Sequence, residues 1–189
     1  MSDFVTLDKQ PAIDAVEKAA EAQIAAINNT PNATDAEKTA AIAKVNADKE
    51  KALAEIAKPE VTTKAAVDAA KTAGTGEIAK VNPVAKEAAK KAVADELAEK
   101  EKAIDARTDL TDAEKTAAKE DAKAKAKAAT DAINEQPDNA ETPEAAATAQ
   151  TAVNNAKDKG VADVKAVNPV AKEAAKKAVA DELTKKEEQ

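Results

Sequence analysis

The seventeen residues from Val81 to Leu97, Val-Asn-Pro-Val-Ala-Lys-Glu-Ala-Ala-Lys-Lys-Ala-Val-Ala-Asp-Glu-Leu, recur letter for letter from Val167 to Leu183. A second match, Thr-Asp-Ala-Glu-Lys-Thr-Ala-Ala, joins Thr34–Ala41 to Thr111–Ala118. The two spacings are 86 and 77 residues, so the second unit carries a nine-residue insertion. Self-similarity of this kind marks a string of like modules. Such strings usually hold things apart or together rather than catalyse.

The composition says what the modules are made of. Only 28 of 189 residues are Leu, Ile, Val or Phe, a fraction typical of disordered chains. Alanine, the best helix former, supplies 53 residues, and acids and lysines are interleaved rather than blocked, which favours helix. The cores are therefore expected to be thin and alanine-lined, at roughly 25 cal/mol per Å² of apolar area buried.

Seven helical segments can be read. The first runs from about Asp8 to Asn28, with Pro11 tolerated in its first turn. Thr34-Asp-Ala-Glu37 is a capping box in which Thr34 covers the amide of Glu37 and Glu37 reaches back; Thr111 and Glu114 repeat it. The helix opened by Thr34 carries Ile42, Val45, Leu53 and Ile56 on one stripe. In its counterpart the first three become Lys119, Ala122 and Thr130, and only Ile133 matches, so the second unit is expected to be the less stable. A third helix follows the Lys58-Pro59-Glu60 break, with Val67, Ala70, Gly74, Ile78 and Val81 along one side. Thr142-Pro143 restarts the second unit, where Val153, Gly160, Val164 and Val167 repeat that stripe. Gly74 and Gly160 align, as expected where two backbones approach closely.

The junctions Val81-Asn82-Pro83 and Val167-Asn168-Pro169 read as a capping asparagine followed by a first-turn proline, with no Gly/Ser linker. On this reading helix three passes into the next helix one within two or three residues. The expected architecture is all-α: tandem three-helix bundles joined end to end into an elongated rod. Repeat 1 spans 6–82 and repeat 2 spans 83–167, with the insertion between its second and third helices. Residues 168–189 form the first helix of a third repeat.

Little chemistry is visible. With no His or Cys the usual nucleophile–base pairs and zinc sites are missing, and no Gly-rich phosphate loop or calcium loop can be read. No catalytic, cofactor-binding or metal residue is assigned, and the chain reads as no enzyme. The pairs Glu87/Lys91, Glu96/Lys100, Glu173/Lys177 and Glu182/Lys186 are four apart and read as solvated helix-face pairs. The lysine-rich stretch 115–127 is interrupted by acids and backed only by alanine, again a solvated face. A net charge of −7 without aromatic platforms argues against nucleic acid, and no apolar run approaches the ~20 residues of a membrane span.

The run Pro31–Asn46, followed by Ala-Leu-Ala-Glu-Ile (52–56) and Val-Asp-Ala-Ala-Lys (67–71), closely resembles the alanine-rich three-helix repeats of Gram-positive surface proteins. These are long catalogued as a domain of unknown function and occur in tandem in wall-anchored adhesins and biofilm proteins. The resemblance covers about Asp8 to Leu183, and the Thr-Asp-x-Glu-Lys motif and the Val-Asn-Pro junction are its most specific parts. It implies an extracellular, cell-wall-anchored stalk that projects a binding domain. No signal peptide or sorting tail is visible, so a secreted parent implies a segment of a longer chain, with Met1 an introduced start.

The expected function is that of a monomeric spacer whose partners are the neighbouring repeats of its own chain. The rival is a module that binds a host matrix or serum protein or another cell. Its expected aromatic or arginine anchors are confined to Phe4 and Arg107. A long coiled coil is opposed by the prolines at 31, 59, 83, 137, 143 and 169.

Overall fold

The computed structural model describes residues 7–189; Met1–Thr6, and with them Phe4 and the first residue of the expected first repeat, lie outside the described residues. Among the described residues the chain forms seven α-helices and two two-residue strands. In order these are α1 (Gln10–Asn28), α2 (Asp35–Ala57), α3 (Lys64–Ala79), β1 (Asn82–Pro83), α4 (Glu87–Asp105), α5 (Asp112–Glu135), β2 (Asn139–Ala140), α6 (Pro143–Lys165) and α7 (Glu173–Glu187). The protein is all-helical, and the helices fall where alanine-rich periodic segments are bounded by proline or by a Thr cap.

Two compact units arise. The first takes the chain up to Ala88 together with Pro137–Thr151, and the second takes Ala89–Gln136 with Ala152–Gln189. This division falls inside α4 and α6 rather than at the sequence-repeat boundaries near 82 and 167.

In the first unit α1, α2 and α3 pack pairwise into a three-helix core. Val16 and Ile27 from α1, Val45 and Ile56 from α2, and Val67 and Ile78 from α3 are buried, with alanines filling the gaps. Pro11 lies inside the first turn of α1. The loop to α2 turns at Asn32, whose φ of 64° is left-handed, a conformation asparagine tolerates better than most residues. Gly74 lies against Ala52 of α2 so closely that a Cβ there would meet the Ala52 side chain. Glycine is needed because these helices approach across small residues.

The second unit repeats this packing with less apolar bulk. Gly160 of α6 lies against Ala129 of α5 and Val93 of α4, which brings the three helices together. Four of the five buried α5 residues are alanines: Ala118, Ala122, Ala126 and Ala129, with Ile133 the fifth. Ala122 stands where α2 has Val45, and both are fully buried. On the helix surfaces Lys91 pairs with Asp95 and Lys177 with Asp181, each at 2.7 Å, rather than with Glu87 and Glu173. The sequence offers both partners four residues away, and the aspartate takes the lysine. Lys100 instead donates to the carbonyl of Lys165 at 2.8 Å.

Candidate functional site: the junctions that follow α3 and α6

Both capping boxes form. The Thr34 hydroxyl accepts from the amide of Glu37 at 3.1 Å, and Glu37 Oε1 accepts from the amide of Thr34 at 2.9 Å and from its hydroxyl at 3.2 Å. Thr111 and Glu114 reproduce this at 3.2, 2.9 and 3.2 Å. The other carboxylate oxygen has a second use. Glu37 Oε2 accepts from the amides of Lys86 (2.9 Å) and Glu87 (3.3 Å), where α4 begins. Glu114 Oε2 accepts from Lys172 and Glu173, where α7 begins, at the same 2.9 and 3.3 Å. A single glutamate thus caps its own helix with one oxygen and the next module's first helix with the other. Four amide and hydroxyl donors converge on a carboxylate at the positive ends of two helices.

The protonation equilibria follow. Burial pushes Glu37 up, but the amides of Lys86, Thr34 and Glu87 and the Thr34 hydroxyl outweigh it and hold the carboxyl below its ordinary value. At Glu114 the amides of Thr111 and Lys172 dominate over burial and lower the group to about 2. The hydrogen bonds are the same; burial opposes them more strongly at Glu37.

This arrangement corrects the reading of Asn82, Pro83, Asn168 and Pro169. Asn82 and Pro83 neither cap nor open α4. They form the extended strand β1, and α4 begins four residues beyond Pro83. Residues 80–86 lie between α3 and α4, more than the two or three expected. Asn168 and Pro169 likewise precede α7, which begins at Glu173 with Lys172 in the cap position. The physical reason is that the orphan amides of these helices are satisfied by Glu37 and Glu114, so no local cap is required. Asn82 instead donates through Nδ2 to the carbonyls of Ala79 (2.8 Å) and Ala140 (3.1 Å), and its Oδ1 accepts from Gln23 Nε2 at 3.1 Å.

At the first junction the insertion adds a cover. β2 pairs antiparallel with β1, Asn82 opposite Ala140 and Pro83 opposite Asn139. The amide of Asn82 donates to Asn139 Oδ1 at 2.7 Å, and Asn139 Nδ2 donates to the carbonyl of Lys80 at 2.9 Å. Gln150 satisfies both backbone groups of Ala85, accepting from its amide at 2.7 Å and donating to its carbonyl at 2.8 Å. Lys86, buried to 6% exposure, pairs with Asp138 at 2.8 Å. Asp138, Asn139, Gln150 and Gln23 were not singled out in the sequence. The nine-residue mismatch between the two spacings pointed to their region, not to their partners.

No group of three or more carboxylates that could hold a metal ion occurs among the described residues, and no described helix is long and apolar enough to cross a membrane. Arg107 is held by Asp109 through two hydrogen bonds of 2.7 and 2.8 Å.

The helices, the glycine contacts and the paired glutamates define an all-helical repeat protein. Residues 8–86 match the model of the family described as Domain of Unknown Function (DUF1542), in keeping with the sequence resemblance. The matched segment ends at Lys86, the residue whose amide Glu37 receives. Comparison with curated proteins and with solved structures gave no match.

Proposed function

We propose that this chain is a spacer: a segment of an extracellular, wall-anchored bacterial stalk in which three-helix repeats follow one another end to end as an elongated, monomeric rod. One observation carries the reading. The glutamate of each capping box accepts the first amides of the next module's helix, twice in one chain with matching distances. A device that recurs at every module boundary serves the boundary. Its working parts are backbone amides and a carboxylate already occupied by donors, which suits joining rather than turnover.

The mechanism is geometric. Helices of 16 to 24 residues make up the modules, and at 1.5 Å per residue such helices set the spacing. Small-angle X-ray scattering over a concentration series tests the reading. A concentration-independent monomer roughly 80–100 Å long is expected. A compact particle or a dimer would overturn the spacer and turn attention to partner binding.

A further inference from the structure

Each unit holds one three-residue crossing. In the first, Val16 of α1 is fully buried, and a Cβ on Gly74 of α3 would lie 3.8 Å from Val16 Cγ2 and against the Ala52 side chain of α2. In the second, Val93 of α4 is fully buried, and a Cβ on Gly160 of α6 would lie 3.4 Å from Val93 Cγ2 and against the Ala129 side chain of α5. Valine and alanine recur at the 77-residue spacing of the capping boxes, and glycine at the 86-residue spacing of the seventeen-letter copies. A third valine stands alone. Val179 of α7 occupies the letter of Val93, yet it is 71% exposed, and Leu183, one turn further on, is 59% exposed. Two large apolar side chains on successive turns of a helix with no buried residue form a face without a cover.

We propose that this face of α7 is a docking surface for a helix pair built like α5–α6 and supplied by a neighbouring repeat, a source that rests on the spacer reading. The chemistry of the occupant follows from what covers the same letters in α4. One helix brings an alanine and the other a glycine to Val179, as Ala129 and Gly160 do at Val93. Larger side chains there would hold the helices apart and leave the valine half-covered. The alanine helix ends in a side-chain acceptor for Lys176, as Asn134 serves Lys90 at 3.1 Å. The glycine helix ends in an open carbonyl for Lys186, as that of Lys165 serves Lys100 at 2.8 Å. A second copy of this chain does not meet the description. Its α5 and α6 already hold their own α4, which carries the same seventeen letters, so exchange adds no contact.

The test extends the whole chain after Leu183 with an added copy of its own residues 98–167 in place of 184–189. Because 167–183 and 81–97 are identical, the added residues follow the letters they follow in the chain itself. Hydrogen exchange of the α7 amides is compared with and without the extension. The expected result is a monomer in which exchange at 176–183 slows roughly 100-fold. Gly160→Leu placed in the added copy alone, where both original units stay intact, is expected to return α7 to its fast exchange. Unchanged exchange in the extended chain would overturn the docking surface, whether or not the added residues are helical. Full protection despite Gly160→Leu would overturn the small-residue crossing as its basis. Protection of α7 that rises with concentration in the unextended chain would make a second copy the occupant and overturn the neighbouring repeat. The spacer reading fails separately, through a compact or dimeric particle in scattering whose α7 exchange is unchanged.

Discussion

Residues 81–97 and 167–183 are the same seventeen letters in two different surroundings. In the first copy Val84 is 2% exposed, Lys86 6% and Val93 0%; in the second Val170 is 69% exposed, Val179 71% and Leu183 59%. Yet both copies become helical at the same letter, Glu87 in one and Glu173 in the other. The start of the helix is set by what both copies share: alanine-rich propensity and a glutamate from the preceding module on the first amides. Burial is set by what they do not share. Val93 meets Gly160 across the second unit, and Ala85 and Lys86 meet Gln150 and Asp138 of the insertion. The strand shows the same dependence. Asn82-Pro83 is a ladder partner only because Asn139-Ala140 lies opposite, and Asn168-Pro169 stays irregular.

The difference predicts unequal responses to equal mutations. Val93→Asp places an unpaired carboxylate in a fully enclosed site and is expected to cost about 3–5 kcal/mol. Val179→Asp, the identical change at the identical letter, is expected to stay within about 0.5 kcal/mol. Urea denaturation of the two variants reads this directly. Similar midpoints for the pair would mean that α4 and α7 are packed alike, and the comparison would fail.

The parts legible in the sequence are those fixed within a few residues. Thr34 and Glu37 lie three apart, as do Thr111 and Glu114, and a capping box needs nothing more distant. Gly74 and Gly160 were legible because the stripe they interrupt shows which way they face. The second oxygen of Glu37 was not, since its donors lie 49 and 50 residues away. Asn-Pro before an alanine-rich run fits a helix cap and an extended strand equally well. The choice at Asn82 is made by Gln23, Ala79, Asn139 and Ala140, three of them more than fifty residues away.

A smaller effect separates the two glutamates. In α4 the clamp supplements packing; in α7, a helix of 15 residues with no buried side chain, it is the hold on the first turn. Helices of this length are marginal in water without tertiary support. Glu114→Gln turns an amide donor toward the Lys172 and Glu173 amides, and α7 is expected to lose its helical chemical shifts throughout. Glu37→Gln is expected only to speed hydrogen exchange at Lys86 and Glu87 while the rest of α4 keeps its protection. A variant Glu114→Gln with α7 still helical would show that alanine propensity alone sustains the helix.

The finest distinction is in acid. Both glutamates are lowered by the folded state, so each clamp contributes fully above the ordinary glutamate value of 4.5 and is lost as pH falls through the folded value. For Glu114 that loss runs from 4.5 down to about 2. Burial opposes the same hydrogen bonds more strongly at Glu37, so its proton is expected to return first on acidification. Amide proton shifts of Lys86 and Glu87 followed from pH 5 downward are therefore expected to move at higher pH than those of Lys172 and Glu173. The two midpoints report the surroundings of identical hydrogen bonds. If the order were reversed, the cover supplied by the insertion would not be what distinguishes the two junctions. If both midpoints fell at the ordinary carboxylate value, the carboxylates would not be receiving the amides at all, and the joining role of Glu37 and Glu114 would fall with them.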